Sequence, residues 1–143
     1  MKTEVVQKAI VLNSKGQLLA LRRSKTDIRR PGQWDLPGGM LDAGETLEHG
    51  VMREIKEEAD IRVNEVRPLY CYTDKTHWVD DNGSHEINVI RIFYVAHISS
   101  NDSVALSHEH DEYAWLSFEE AKQQFTYDKH LQLFEYIQEN NLL

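Results

Sequence analysis

Three glutamates, Glu54, Glu57 and Glu58, with Arg53 directly before them, are the densest group of chemically capable residues in the chain. In a helix, at ~100° per residue, Glu54 and Glu58 lie one turn apart with Glu57 beside them, so the three carboxylates project within an arc of about 100°. Like charges at i,i+4 cost roughly 0.2–0.5 kcal/mol per pair in an isolated helix, a cost that reverses if a divalent cation sits between them. All-oxygen ligands suit a hard cation, so magnesium (Mg2+), with manganese (Mn2+) as the alternative, is the expected metal. Taken alone, an E-x-x-E-E run is usually a solvated helix face. Its meaning depends on what holds it.

The holding elements lie within residues 34–61, WDLPGGMLDAGETLEHGVMREIKEEADI. The stretch begins as a brief strand at 34–36, turns through Gly38 and Gly39, and continues as a helix. The glycines let backbone approach a ligand without a Cβ clash. Thr46 is the expected helix N-cap, with Glu48 favourably placed in the first turn. Leu47, Val51, Ile55 and Ala59, four apart, form the stripe expected to pack on a sheet.

Gly39, then Glu45, then Arg53-Glu54-Ile55-Lys56-Glu57-Glu58, at these offsets over residues 39–61, resembles the signature of the Nudix (MutT-like) hydrolases. The resemblance implies that the Gly38 carbonyl joins Glu54, Glu57 and Glu58 on the metal, and that Glu45 and Arg53 form an ion pair holding the loop to the helix. One position departs. Where the family has glycine after the glutamate pair, this chain has Asp60, which visits the left-handed region more readily than most residues. The expected consequence is a small stability cost at the helix end.

Composition bounds the rest. The chain has 143 residues, 41% hydrophobic and 28% charged, as expected of one globular domain spanning 1–143. A formal net charge of −8 disfavours nonspecific binding to nucleic acid or anionic membranes, so an anionic substrate must be held by local positive charge or metal. The single cysteine, Cys71, excludes an intrachain disulfide and, in an apolar and aromatic segment, is expected in the core. With no apolar run long enough for a signal peptide or membrane span, a cytoplasmic protein is expected. A homodimer is left open.

Strands are expected at 5–12 and 17–22, joined by the turn Asn13-Ser14-Lys15-Gly16, with a polar loop at 24–33. Further strands are expected at 65–73 and 87–98, the second central by its continuous apolar character, with a polar connection at 74–86 that turns at Asp80-Asp81-Asn82-Gly83. A short strand at 113–116, a Ser117-capped helix at 118–124 and an amphipathic helix at 127–140 complete the order. Strands interleaved with helices imply an α/β fold, a mixed β-sheet between helices. The order resembles the Nudix α/β/α sandwich from about residue 5 to 124.

Arg22, Arg23, Lys25, Arg29 and Arg30 concentrate positive charge just before the glycine loop. Arg23 and Arg29 are taken as phosphate contacts. Trp34, Tyr72, His77 and Trp78 are candidates for stacking on a base; Trp34 and Trp78 are taken as substrate-binding, although core packing competes for Trp34 and Tyr72. The segment Ser107-His108-Glu109-His110 resembles a late Nudix loop whose acidic residue joins the metal cluster or activates water, which implicates Glu109, with Glu112 as fallback. His108 and His110 are only weak evidence for a transition-metal site.

That segment is also similar to one in diadenosine tetraphosphate hydrolases, which carry a tyrosine near the place of Trp78. The resemblance implies metal-assisted hydrolysis of a pyrophosphate bond in a nucleoside diphosphate linked to another moiety, either a nucleoside triphosphate or a dinucleoside polyphosphate. Arg53 supports the catalytic constellation, and Glu54 or Glu109 takes the proton; the sequence leaves that choice open. The alternative is a Nudix-fold nucleotide-binding or regulatory module without catalysis.

Overall fold

The computed structural model describes residues 1–99 and 103–143. Strands β1 (Thr3–Leu12) and β2 (Leu18–Arg23) are followed by β3 (Trp34–Asp35), β4 (Gly38–Met40), α1 (Leu47–Ala59), β5 (Arg67–Asp80), β6 (Gly83–His97), β7 (His110–Leu116), α2 (Phe118–Gln124) and α3 (Asp128–Glu139). The main path of the sheet runs β3-β2-β1-β6-β5, with β4 on β1 and β7 on β2. β1 and β6 pair in parallel, and the remaining pairs are antiparallel. The sheet is mixed, as expected, and β6 lies inside it between β1 and β5.

Alternation along the strands sends apolar side chains to both faces. Ala9, Val11, Leu19 and Leu21 pack with Val51, Ile55 and Ala59 of α1. Ile10, Leu12, Leu18 and Ala20 pack on the other side with Ala121, Leu133, Phe134 and Ile137 of α2 and α3. The result is helix, sheet, helix. Local chemistry sets the boundaries: Asn13 Oδ1 accepts from the Lys15 and Gln17 amides in the β1–β2 turn, and Ser117 with Glu120 forms a capping box on α2.

Several expectations are corrected. Leu47 opens α1 but is 40% exposed, so the buried stripe starts at Val51. The polar connection at 74–86 is not a loop: β5 and β6 run through it as a ribbon that turns at the expected place, with Asp80 opposite Gly83. Alternation with solvent on one side lets polar residues form these strands. Cys71 is exposed, because its neighbours Tyr70 and Tyr72 face the α3 cluster and the pleat sends it to the other side. Gly38 and Gly39 form the short strand β4 rather than a free turn.

Candidate active site

The site is built on the approach of β4 to β1. Gly38 has φ of +143°, and a Cβ there would lie 2.0 Å from the Gln7 carbonyl oxygen, so backbone fills the space a side chain would need. A Cβ on Gly39 would instead meet the Glu54 carboxyl group at 2.7–2.9 Å. Each glycine therefore lets a different partner in, the β1 backbone in one case and the first glutamate of α1 in the other.

α1 begins at Thr46, whose Oγ1 accepts from the His49 amide. It ends at Asp60, which adopts the left-handed conformation (φ 56°, ψ 35°) and pairs with Lys56. Between these ends, Arg53 donates to both carboxylate oxygens of Glu45 at 2.6 and 2.9 Å, and its Nη1 lies 3.2 Å from Glu54 and 3.1 Å from Glu57. The guanidinium on Glu45 lowers that carboxyl to about 2, so it stays ionised. Arg53 thus ties the loop to the helix and draws two of the three glutamates to its guanidinium.

Glu58 is buried, unlike the solvated-face picture, and its Oε1 accepts from the Gly38 amide at 2.7 Å. Burial pushes its carboxyl up to about 8 against the opposing pull of Lys8. Burial raises Glu54 as well. His110 of β7, also buried, has Nδ1 4.0 Å from Glu58 Oε2; burial drops the imidazole to about 4, so it is neutral near pH 7. His108 is exposed, so the two histidines do not act as a pair.

Opposite this acidic helix stands a group that sequence reasoning missed. Asp35 is fully buried, and its Oδ2 lies 2.8 Å from Arg23, 3.2 Å from Lys8 and 3.4 Å from Arg30. Its Oδ1 accepts from the Leu36 amide at 2.8 Å and lies 3.1 Å from His130 Nε2 on α3. Burial alone would raise this carboxyl, but Lys8, His130 and Arg30 overcome it and hold it well below the usual range. Lys8 also donates to the Gly38 carbonyl at 3.2 Å, which joins this cluster to the glycine strand. The signal was present in the sequence: Asp35 stands between Trp34 and Leu36, and Lys8 lies within the largely apolar strand 5–12, and charges in such settings are rarely buried unpaired.

These groups meet in one cleft of about 520 Å3. Gly38, Glu54, Glu57, Glu58, Arg23, Arg29, Trp78 and Glu109 all line it, together with Lys8, Arg30, Tyr127 and His130. Arg29 stacks on Trp78 at 3.8 Å and Arg30 on Tyr127 at 3.8 Å. Glu109 reaches the cleft because its carbonyl accepts from the Ser24 amide at 2.9 Å, joining the late loop to loop 24–33. Trp34 is not brought to the cleft; it packs against the α2–α3 cluster. Tyr72 packs there too, with its hydroxyl donating to the Lys129 carbonyl. Arg53 lies behind the glutamates, and Glu112 pairs with Arg22 outside the cleft.

A divalent cation suits this donor set. The carboxylates and the Gly38 carbonyl are hard oxygens, and Glu58 is a buried carboxylate with no Lys or Arg within ion-pair distance among the described residues. Among the described residues no three acidic, histidine or cysteine side chains already surround one point. Arg53 accounts for part of that, since it draws Glu54 and Glu57 toward itself.

The NUDIX domain family model matches residues 2–136. The chain belongs to the NUDIX family. The nucleoside triphosphatase NudI of Klebsiella pneumoniae is 30% identical over 115 residues, covering 78% of this chain and 81% of the relative. NudI of Escherichia coli is 33% identical over 93 residues, covering 63% and 65%. Among solved structures, the MutT protein of Methanosarcina mazei superposes with a TM-score of 0.77 at 30% identity, covering 98% of this chain and 96% of that one. An Ap4A hydrolase of C. elegans matches in fold with a TM-score of 0.70 at 22% identity, covering 97% and 98%. The chain is therefore a Nudix hydrolase, and residues 39–61, where the resemblance was seen, are the part that forms its acidic wall.

Proposed function

We propose that this Nudix hydrolase is a magnesium-dependent pyrophosphohydrolase that cleaves a phosphoanhydride bond of a nucleoside triphosphate. The supporting observation is the mixed charge of one cleft: the α1 glutamates and the glycine strand line it together with Lys8, Arg23, Arg29 and Arg30. The NudI relatives, named nucleoside triphosphatases, favour this substrate class. The ion would be held by Glu54, Glu57, Glu58 and the Gly38 carbonyl. Bound there, a divalent cation would neutralise phosphoryl oxygens and make the attacking water more acidic.

The chain's own residues do the rest. Arg29, with no carboxylate bonded to its guanidinium among the described residues, offers donors to phosphate oxygens, and Trp78 beneath it offers an aromatic face. Arg53 keeps Glu54 and Glu57 at fixed positions through Glu45. Glu54, half-buried and more basic than an exposed carboxylate, accepts the proton at its carboxylate oxygen; Glu109, exposed at the rim, is the runner-up. No covalent intermediate is required.

Dinucleoside polyphosphates are the second reading. Two aromatic rings, Trp78 and Tyr127, line the same cleft, and a substrate with two bases would use both. The test is a panel of nucleoside triphosphates, dinucleoside polyphosphates and nucleotide sugars, scored for released phosphate and pyrophosphate with magnesium and with excess EDTA. Turnover of triphosphates above the others supports the proposal. Undiminished turnover in EDTA, or none on any substrate, refutes it.

A further inference from the structure

The Asp35 cluster is unbalanced. One carboxylate oxygen faces Lys8, Arg23 and Arg30, and the other is taken up by the Leu36 amide and His130. Arg23 has a second carboxylate, Asp27 at 2.8 Å, and Lys8 has the Gly38 carbonyl. Arg30 has only the longest of the three contacts, 3.4 Å, and no second carboxylate among the described residues.

Its Nη1 is buried and without any hydrogen-bond partner there. A buried guanidinium nitrogen left unpaired costs more than most neutral groups, so a fold retains one where something else completes it.

Two further observations concern the same residue. Arg30 has φ of 51°, one of three described non-glycine residues with positive φ, and it directly precedes Pro31, which restricts it further. Strain of this kind persists where surrounding contacts over-determine the conformation, and it clusters at ligand sites. The contacts are visible. The guanidinium lies over the Tyr127 ring at 3.8 Å, the Gln33 amide donates to the Arg30 carbonyl at 3.2 Å, and the side chain lines the cleft. A residue bent out of its preferred backbone region is thus held with one buried, unpaired donor nitrogen beside the cleft that its side chain lines.

We propose that Arg30 binds non-bridging oxygens of the substrate's polyphosphate, from the wall formed by loop 24–33 and α3. This assignment rests on the hydrolase reading and adds a specificity-determining contact to it. The anion supplies the acceptor that Nη1 lacks and shares the cation that Asp35 holds only weakly. Arg23, locked between Asp27 and Asp35, positions loop 24–33, and its Nε donation to the Arg29 carbonyl at 2.7 Å fixes the turn that delivers Arg30. The set would select substrates by phosphate number rather than by base.

The test uses Arg30→Gly, Arg30→Lys and, as a control, Arg22→Gln, whose guanidinium is taken by Asp111 and Glu112 outside the cleft. Affinity for the non-hydrolysable bis-methylene analogue of tripolyphosphate is measured by titration calorimetry with magnesium, melting temperature by calorimetry, and KM and kcat on the substrate found in the panel. A charge-assisted hydrogen bond predicts a loss of about ten- to a hundredfold in analogue affinity for both Arg30 variants, with KM rising more than kcat falls. Arg30→Gly should melt no earlier than the unaltered protein, because glycine accepts the left-handed backbone. Arg22→Gln should bind as the unaltered protein does.

Unchanged affinity in the Arg30 variants, an equal loss in Arg22→Gln, or no analogue binding by the unaltered protein overturns the proposal. Arg30-dependent binding without turnover of any nucleotide would sink the hydrolase reading and leave this contact standing.

Discussion

Alanine placed at Gly38 and at Gly39 separates the scaffold of the site from its chemistry. At Gly38 the new Cβ would sit 2.0 Å from the Gln7 carbonyl oxygen and 2.7 Å from Lys8 Cα, against an ordinary contact of 3.4–4 Å, and both atoms are backbone of β1. β4 must therefore move by more than an ångström, breaking its pairing with β1 and lengthening the 2.7 Å bond from the Gly38 amide to Glu58. A left-handed conformation forced on a β-carbon costs about 1–3 kcal/mol, overpacking about 1–3, and a lost bond to a charged acceptor about 1.5–3, partly overlapping. A total of about 3–6 kcal/mol is expected, or roughly 10–20 °C in melting temperature for a chain of this size.

At Gly39 the three nearest atoms all belong to the Glu54 carboxyl group, at the mobile end of a side chain. Turning it to an off-rotamer position costs about 0.5–1.5 kcal/mol, so the melting temperature should fall by less than about 5 °C. The rate should nevertheless drop by about 100-fold or more, the scale of a misplaced general base. Calorimetry on both variants, paired with phosphate release from the best substrate of the panel, makes the comparison. If Gly39→Ala melts as early as Gly38→Ala, or turns over at the unaltered rate, the geometry of β4 has been misread.

Other expected outcomes concern the carboxylates and the helix end. Glu57→Gln, at an exposed position, should cost orders of magnitude in rate with little change in melting temperature, whereas Arg53→Ala, which cuts the link to Glu45, should lower both; equal stability losses would contradict this. For the metal-free protein, Glu58 has a folded pKa near 8, above its unfolded value, so its contribution to stability is complete below about pH 4.5 and lost as pH rises through 8. His110 is depressed to about 4, so its contribution is complete above about pH 6.5 and lost as pH falls through 4. Between about pH 6.5 and 8 the Glu58 slope is at most ~1.4 kcal/mol per pH unit, and denaturant titrations should show stability falling there, with the slope reduced in Glu58→Gln. Asp60→Gly should gain about 0.5–1 kcal/mol by relieving the left-handed backbone at the end of α1, with Asp60→Asn near neutral and rates unchanged in both; loss of activity at constant stability in the two variants would make Asp60 a functional group.

Local signals carried much of the fold. The Thr46 cap, the left-handed Asp60, the capping box at Ser117 and the interior position of β6 each depend on neighbours in sequence or on a continuous apolar run. Partners far apart in the chain decided what was misread. Trp34 is half-buried against the cluster that the sheet forms with α2 and α3, and Cys71 is exposed because the pleat turns it away from that cluster, neither of which a window of a few residues contains. The ribbon was read as a loop because β5 alternates exposed and half-buried positions through it and both strands carry mostly polar residues there. In the site, the glutamates were legible from spacing, but Lys8, Asp35 and His130 come from β1, β3 and α3, and only the assembled sheet brings them together.

The parallel ladder between β1 and β6 pairs Thr3 with Asn88 and Leu12 with His97, so every rung closes a loop of about 85 residues. Contacts of such range are entropically late, and folds that depend on them form slowly. During synthesis β1 has no parallel partner until His97 has left the ribosome, yet β1 carries Lys8 and receives the glycine strand. The hairpins β1–β2 and β5–β6 can form early, each from sequence neighbours. Catalytic competence then waits on the docking of these two halves together with the β2–β7 pairing and the seating of α3 on Asp35, so the onset of activity in a refolding reaction reports the late, long-range contacts and not the hairpins.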